Sequence, residues 1–336
     1  VARLIGRVAR AFALLIVTVI VVVALGLAAG VMYARSVQVE DRVASAPKTG
    51  SYVDAYDTRI FLQKVGRDGA PAVVFVPGTG AWSENWRPFL DQVAARGYQA
   101  IAIDLPPFGY SVPPASGDYR KVTQGKRILS VLDSLGLKQA TFVAHSIGSA
   151  PLMEALLAHP ERVASVILID PALGLDTPVT DGSDSGLQRL MRIEWIADAL
   201  SATFLTNRAY TERLVKNFVT EKDKITPAWV GLFQRPMTSR GYYQGAALWL
   251  PELLAPRGTA ISDDPKAYQA IRLPVTIVWG SDDTITPLSQ GQHLQALIAG
   301  SSLRILPGGH VPMIEEPAAL GRYLDDALPV EVEAPR

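Results

Sequence analysis

Hydrophobic positions along this chain alternate between two periods. Ala72-Val73-Val74-Phe75-Val76 is a short continuous apolar run ending at Pro77-Gly78-Thr79-Gly80, the mark of a strand buried on both faces. Tyr98 to Leu105, Phe142 to Ser146 and Val163 to Ile169 repeat the pattern. Between them apolar residues recur at helical spacing, over Trp86 to Arg96, Tyr119 to Leu135 and Ala150 to His159. Upstream, Tyr52 to Val65 reads as two short strands turning near Asp57-Thr58. From Gly174 to about Arg272 the pattern is helical, punctuated by Pro227, Pro236, Pro251, Pro256 and Pro265. The alternation then resumes, with strands at Val275 to Gly280 and Ser302 to Leu306 and helices at Leu288 to Ile298 and Leu320 to Leu328. Continuous Val/Ile/Leu strands separated by helices predict an α/β fold, with a mostly parallel central sheet and helices on both faces. Residues 51–173 and 273–330 form its core. Residues 174–272 are too many for a structureless loop and are expected to fold as a helical cap between the sixth and seventh strands.

The N-terminus has neither period. Residues 11–33 (AFALLIVTVIVVVALGLAAGVMY) carry no charge and are almost wholly apolar, and a helix needs about 20 such residues to cross a bilayer. Arg3, Arg7 and Arg10 precede the run without an acid, whereas Arg35, Glu40, Asp41 and Arg42 follow it. The basic flank predicts a single-pass signal anchor over 1–34, N-terminus cytoplasmic and the rest of the chain extracytoplasmic. The alternatives are a cleaved signal peptide, whose apolar region spans about 7–15 residues, and a buried helix of a soluble protein. Residues 35–50, polar and mixed in charge, read as a linker.

Composition removes several classes. The 336 residues balance 32 basic against 32 acidic side chains, without the basic excess of a nucleic-acid binder. There is no cysteine, so disulfides and thiolate zinc sites are excluded. The four histidines, His145, His159, His293 and His310, include no His-x-x-x-His pair, and neither a metal nor an organic cofactor is expected.

Candidate chemistry lies at the strand ends. Ala144-His145-Ser146-Ile147-Gly148 takes a buried strand into a helix through a serine flanked by small residues. Such a turn lifts a hydroxyl above the sheet edge, over a helix N-terminus. A serine becomes a nucleophile when a histidine accepts its proton and a carboxylate orients that histidine. His310 follows a strand in Pro307-Gly308-Gly309-His310, where glycines let a loop carry the imidazole over the edge. His145 is expected to point to the other face by strand alternation, His159 to sit at a helix end and His293 on a helix surface.

Val76-Pro77-Gly78-Thr79-Gly80, Asp104-Leu105-Pro106-Pro107-Phe108-Gly109-Tyr110-Ser111, Ala144 to Gly148, Gly280-Ser281-Asp282-Asp283-Thr284-Ile285-Thr286-Pro287 and Gly308-Gly309-His310 follow one another in an order that resembles the α/β-hydrolase fold family, in particular members with a helical cap. The resemblance covers about Tyr52 to Leu328, with Ala144 in place of the usual first glycine of Gly-x-Ser-x-Gly. It implies a triad of Ser146, Asp283 and His310 in the order Ser, acid, His. The family's Gly-x-x-Asp pattern points to Asp283. Asp170, at the end of the sixth strand, is a rival acid, and Asp282 another, otherwise expected to bind amides of its turn. It also implies an oxyanion hole of the Ile147 and Thr79 N–H groups, although the family's usual His-Gly is Pro77-Gly78 here.

A serine nucleophile argues against dehalogenase and epoxide hydrolase chemistry, which use aspartate in this family. Large apolar residues of the cap (Trp195, Phe204, Leu205, Phe218, Trp229, Phe233, Tyr242, Tyr243, Trp249 and Leu250) are expected to join cap to core and enclose an apolar cleft. The leading expectation is a membrane-anchored carboxylesterase or monoacylglycerol-lipase-like enzyme acting on small hydrophobic esters, with the bilayer contacted through residues 11–33. The alternatives are a carbon–carbon bond hydrolase of ring-cleavage products and a non-catalytic binding protein of the same fold.

Overall fold

The computed structural model describes residues 2–176, 184–253, 258 and 260–328. A long helix, α1 (Ala2–Val37), precedes an eight-stranded sheet of β1 (Gly50–Ala55), β2 (Thr58–Val65), β3 (Ala72–Val76), β4 (Gln99–Ile103), β5 (Ala140–His145), β6 (Val163–Ile169), β7 (Val275–Gly280) and β8 (Ser302–Leu306). The strand order is β1-β2-β4-β3-β5-β6-β7-β8. The pairings of β1 with β2 and of β2 with β4 are antiparallel, and those from β4 through β3 to β8 are parallel. Helices α2 (Arg87–Ala95), α3 (Lys121–Ser134) and α4 (Ser149–Ala158) connect the parallel strands up to β6, and α11 (Leu288–Leu297), α12 (Pro312–Glu315) and α13 (Pro317–Ala327) follow β7.

The period of two within each strand sorts side chains between the layers. Val74, Val76, Phe142, Ala144, Ile277 and Trp279 pack with α3, α4 and α11 through Ile128, Leu132, Met153 and Leu294. Their neighbours Val73, Phe75, Val143 and Val278 pack on the opposite face with Phe89, Leu90 and Val93 of α2 and Leu320 and Leu324 of α13. Burying each such side chain contributes about 1.5–3 kcal/mol. This sandwich holds the carboxyl ends of β3, β5, β6, β7 and β8 in register, and the candidate residues follow those ends.

Between β6 and β7 lie α5 (Gly186–Met191), α6 (Glu194–Leu200), α7 (Arg208–Lys216), α8 (Pro227–Gln234), α9 (Tyr242–Leu253) and α10 (Pro265–Tyr268), with a π-helical turn at Ser201–Leu205. Side chains of Ser185, Asn207, Thr226 and Asp264 accept N–H groups at the starts of α5, α7, α8 and α10, so these short helices carry their own start signals.

The segment after α1, polar in sequence, is built into the molecule. Gln38 accepts a hydrogen bond from the Tyr243 N–H at 2.9 Å. The buried Arg42 donates to the carbonyls of Gly109 (3.0 Å) and Ser111 (3.3 Å), and its guanidinium lies 5.2 Å from the centre of the Tyr242 ring. A charged side chain reads as solvated in a sequence. Here carbonyls turned inward by the Asp104–Ser111 loop compensate its burial.

Candidate active site

Ser146 follows β5 at φ 52°, in the left-handed region, which costs a side-chain-bearing residue about 1–2 kcal/mol. Its surroundings enforce the turn. The Ser146 carbonyl accepts the Ala172 N–H at 3.0 Å. A Cβ on Gly148 would stand 2.3 Å from the Pro77 carbonyl oxygen, and one on Gly78 would stand 2.7 Å from His145 Nδ1. Bare backbone at 78 and 148 is therefore what lets the loop after β3 close against the serine.

The hydroxyl oxygen of Ser146 lies 2.7 Å from His310 Nε2, and His310 Nδ1 lies 2.7 Å from Asp283 Oδ2. An ionised carboxylate only accepts, which puts the imidazole proton on Nδ1 and leaves Nε2 to accept from the serine. Burial alone would raise the Asp283 carboxyl. The hydrogen bond and charge of His310, joined by Thr286, outweigh it and hold the group below the usual carboxylate range. Asp283 Oδ1 also accepts the N–H groups of Ile285 (2.7 Å) and Thr286 (3.0 Å). The amide-binding role expected of Asp282 thus belongs to Asp283, and among the described residues the Asp282 carboxylate accepts only the adjacent Ser281 hydroxyl at 2.7 Å.

Asp170 stands beside this chain rather than in it. It follows β6 at φ 42°, fully buried, with Oδ1 accepting the Gly280 N–H at 2.7 Å and Oδ2 facing no donor among the described residues. Burial, with the neighbouring Asp283 carboxyl, pushes its own carboxyl well above the ordinary range despite the Gly280 N–H.

His145 does not point away as strand alternation suggests. Its ring centre lies 5.1 Å from that of His310, and Nε2 donates to the His310 carbonyl at 2.7 Å. Burial lowers it to about 3, so it is neutral and supports the loop carrying His310. Two other supports escape the sequence reading. Thr286 Oγ1 donates to Asp283 Oδ2 at 2.7 Å. The buried Glu315 accepts the N–H groups of Gly309 (2.8 Å), Thr220 (2.7 Å) and Glu221 (3.1 Å) and the Thr220 hydroxyl (2.6 Å), which ties the His310 loop to the cap. The only sequence signal for Thr286 is its place inside the Gly280 to Pro287 motif. Nothing local marks Glu315. His159 lies exposed beside Glu161 at 3.3 Å, and His293 pairs with Asp176 at 2.6 Å, both away from the site.

Two cavities meet at Pro77 and Gly78. One of about 60 Å³ holds Ser146 and His310 among Thr79, Trp86, Val215, Phe218, Phe233 and Met313. The other, about 590 Å³, runs past Ile147, Phe108, Tyr119, Leu173, Trp249 and Leu253. The Thr79 N–H at the junction donates to no atom among the described residues. The cations of the larger cavity have partners. Arg192 pairs with Asp184 (2.7 Å) and Glu252 (3.4 Å), Lys121 with Asp263 and Arg120 with Asp118 (2.6 Å). Trp195 and Phe204, expected to pack inside, are 69% and 48% exposed. No cluster of three or more His, Asp or Glu among the described residues is arranged to hold a metal. The arrangement offers an imidazole acceptor for a hydroxyl proton and a carboxylate to stabilise the resulting imidazolium, against an apolar wall.

The model of the alpha/beta hydrolase fold family matches residues 71–317. The chain is 28% identical over 293 residues to the 2-hydroxymuconate semialdehyde hydrolase of Pseudomonas sp. (strain CF600), spanning 84% of this chain and 95% of that protein. It is 25% identical over 283 residues to a 2-hydroxy-6-oxononadienedioate/2-hydroxy-6-oxononatrienedioate hydrolase of Pseudomonas putida, spanning 81% and 92%. Of the solved structures it resembles, a meta-cleavage product hydrolase from Pseudomonas fluorescens IP01 aligns with TM-score 0.66 and 21% identity over 83% of this chain and 97% of that one. A membrane phospholipase A aligns with TM-score 0.64 and 21% identity over 96% and 97%.

Proposed function

The chain belongs to the α/β-hydrolase fold family, and from that premise we propose that it is a serine hydrolase in which Ser146 attacks a substrate carbonyl. His310 takes the hydroxyl proton and returns it to the leaving group, and Asp283 fixes the imidazole tautomer and balances its charge. The N–H groups of Ile147 and Thr79 hold the developing oxyanion. The observation that carries this reading is the unbroken hydrogen-bonded path from Ser146 through His310 to Asp283, at 2.7 Å and 2.7 Å.

The similarities back a carbon–carbon bond hydrolase better than the ester hydrolase that leads the sequence analysis, because the curated relatives named above act on 2-hydroxymuconate semialdehyde and on hydroxy-oxo-dienedioates. We therefore place hydrolysis of ring-cleavage products first. The chemistry is compatible with the site: the serine adds to a ketone, the carbon leaving group departs with the proton held by His310, and water releases the acid.

Ester cleavage is the second reading, favoured by the lining. Among the described residues no Lys or Arg borders the cavity at Ser146, and those of the larger cavity are already paired with carboxylates. A dienoate carboxylate would have to displace one of those carboxylates, whereas an uncharged acyl ester requires no such exchange. The fold likeness to the membrane phospholipase A also extends over 96% of the chain, against 83% for the meta-cleavage enzyme.

We also read α1 as a single-pass anchor with its N-terminus in the cytoplasm and the catalytic domain outside. Support comes from the helical segment Arg10–Val37, the one among the described residues long and apolar enough to cross a membrane, and from the arginines before it. The deciding experiment gives the full chain a 2-hydroxy-6-oxo-dienoate, p-nitrophenyl esters of rising chain length and a glycerophospholipid, with Ser146→Ala as control. Serine-dependent turnover of the dienoate alone supports the first reading, and turnover of esters alone supports the second. Failure on all three, with no labelling of Ser146 by a fluorophosphonate, removes the hydrolase assignment.

A further inference from the structure

The apolar run of α1 ends on the cap, and its length fixes where. Arg10 is the last charge before the run. At 1.5 Å per residue, the roughly 20 residues that cross about 30 Å of hydrocarbon reach from there to Gly30. Gly30 is also where α1 first becomes buried. A Cβ there would lie 2.1 Å from Thr203 Oγ1, so the helix meets the π-helical turn with bare backbone. One turn later Ala34 is buried with Ala202 and Tyr243, and Arg35 Nε donates to the Tyr243 hydroxyl at 3.4 Å. The anchor thus docks on α6 and the following turn at the level where it must leave lipid.

The outward side chains on these same elements are large and apolar. Trp195 of α6 is 69% exposed and Phe204 of the turn 48% exposed. Ile193, just before α6, is exposed, as is Tyr210, whose ring centre lies 5.9 Å from that of Phe204. Single exposed apolar residues need no explanation. Exposed aromatics on the very elements that a lipid-spanning helix docks against do, because Trp and Tyr favour the boundary between headgroups and acyl chains.

We infer that Trp195 and Phe204 insert into the headgroup–acyl boundary of the bilayer, making the α6 face of the cap a second membrane contact beside α1. The inference rests on the reading of α1 as an anchor. The contact holds the cap, and with it the roof of the site, in one orientation to the membrane instead of letting it swing on a tether.

The absence of cysteine makes the test clean. Single variants Trp195→Cys, Phe204→Cys, Val22→Cys and Lys138→Cys of the full chain are labelled with an environment-sensitive fluorophore in phosphatidylethanolamine/phosphatidylglycerol vesicles. Lipids carrying quenchers at shallow and deep acyl positions are then added. The expected result is blue-shifted emission at 195 and 204 quenched best by the shallow probe, at 22 by the deep probe, and solvent-like emission at 138. Solvent-like emission at 195 and 204 with deep quenching at 22 overturns the inference and leaves the anchor standing. No quenching at 22 removes the anchor, and the inference with it. A blue shift at 195 and 204 that no lipid probe quenches means a second copy of the chain covers the patch, and likewise overturns the inference.

Discussion

The ends of β6 and β7 lie side by side and each carries a buried aspartate, yet the two are driven in opposite directions. Asp283 sits below the ordinary carboxylate range and Asp170 well above it. Burial acts the same way on both, favouring the neutral acid. The difference is in the partners. Asp283 faces His310 at 2.7 Å together with two amides and the Thr286 hydroxyl. Asp170 faces one amide, that of Gly280, and the Asp283 carboxylate itself. Neighbouring like charges in a dry site do not both ionise readily, so the carboxyl that accepts the His310 imidazole, two amides and a hydroxyl is favoured as the charged one, and its neighbour is pushed toward the neutral acid. Strand position offers either end to the histidine, and the partner set goes with the carboxyl that meets the imidazole.

The largest effect that breaks this comparison is Asp283→Asn. It keeps the shape but presents an amide to His310, favouring the tautomer that cannot accept from Ser146. Turnover is expected to fall by about 10³–10⁴-fold, with substrate affinity little changed. A residual rate within tenfold of wild type would move the acid to Asp170. Glu315→Ala comes next. Removing that carboxylate strands three amides and a hydroxyl and frees the His310 loop from the cap, at a cost of roughly 3 kcal/mol of stability. Turnover is expected to fall by about one to two orders of magnitude through misplacement of the base, with Glu315→Gln recovering part of it. Unchanged kcat in a folded Glu315→Ala protein would show that the loop holds itself.

The sheet and the Ser146–His310–Asp283 path were legible because each depends on local pattern. Strands buried on both faces read as short apolar runs, and the three side chains follow strands through turns rich in small or polar residues. What was not legible depends on contacts between distant segments. Glu315 meets Thr220 across the cap boundary, and its sequence setting, Met313-Ile314-Glu315-Glu316, looks like an ordinary helix end. His145 closes β5, and its ring meets the His310 carbonyl from a loop far along the chain, a contact that strand alternation does not foretell. Arg42 reads as part of a polar linker until the carbonyls of Gly109 and Ser111 are seen to enclose it. Trp195 and Phe204 carry the same apolar signature as Phe218 and Phe233, which line the small cavity. Only the docking of α1 separates an outward aromatic from an inward one.

Asp170→Asn is the smallest perturbation and the sharpest test. An asparagine can still accept from the Gly280 N–H and can donate to Asp283 without carrying a proton, so turnover is expected within about twofold of wild type, the change being isosteric. Stability should respond differently with pH. The Asp170 carboxyl is raised in the folded state, while its unfolded value lies near 3.9. Above about pH 4 the unfolded chain therefore releases a proton that the folded chain retains, and stability falls as pH rises toward the folded value, by up to about 1.4 kcal/mol per pH unit. The lowered Asp283 acts in the opposite sense: its contribution is present above the unfolded value and is lost on acidification through the folded one. The Asp170→Asn change removes the first dependence and leaves the second. In urea titrations of the full chain between pH 4 and 8, the midpoint of Asp170→Asn should rise relative to wild type as pH increases. Parallel midpoints across that range would mean that Asp170 is ionised in the folded protein, and the opposition between the two strand ends would fail.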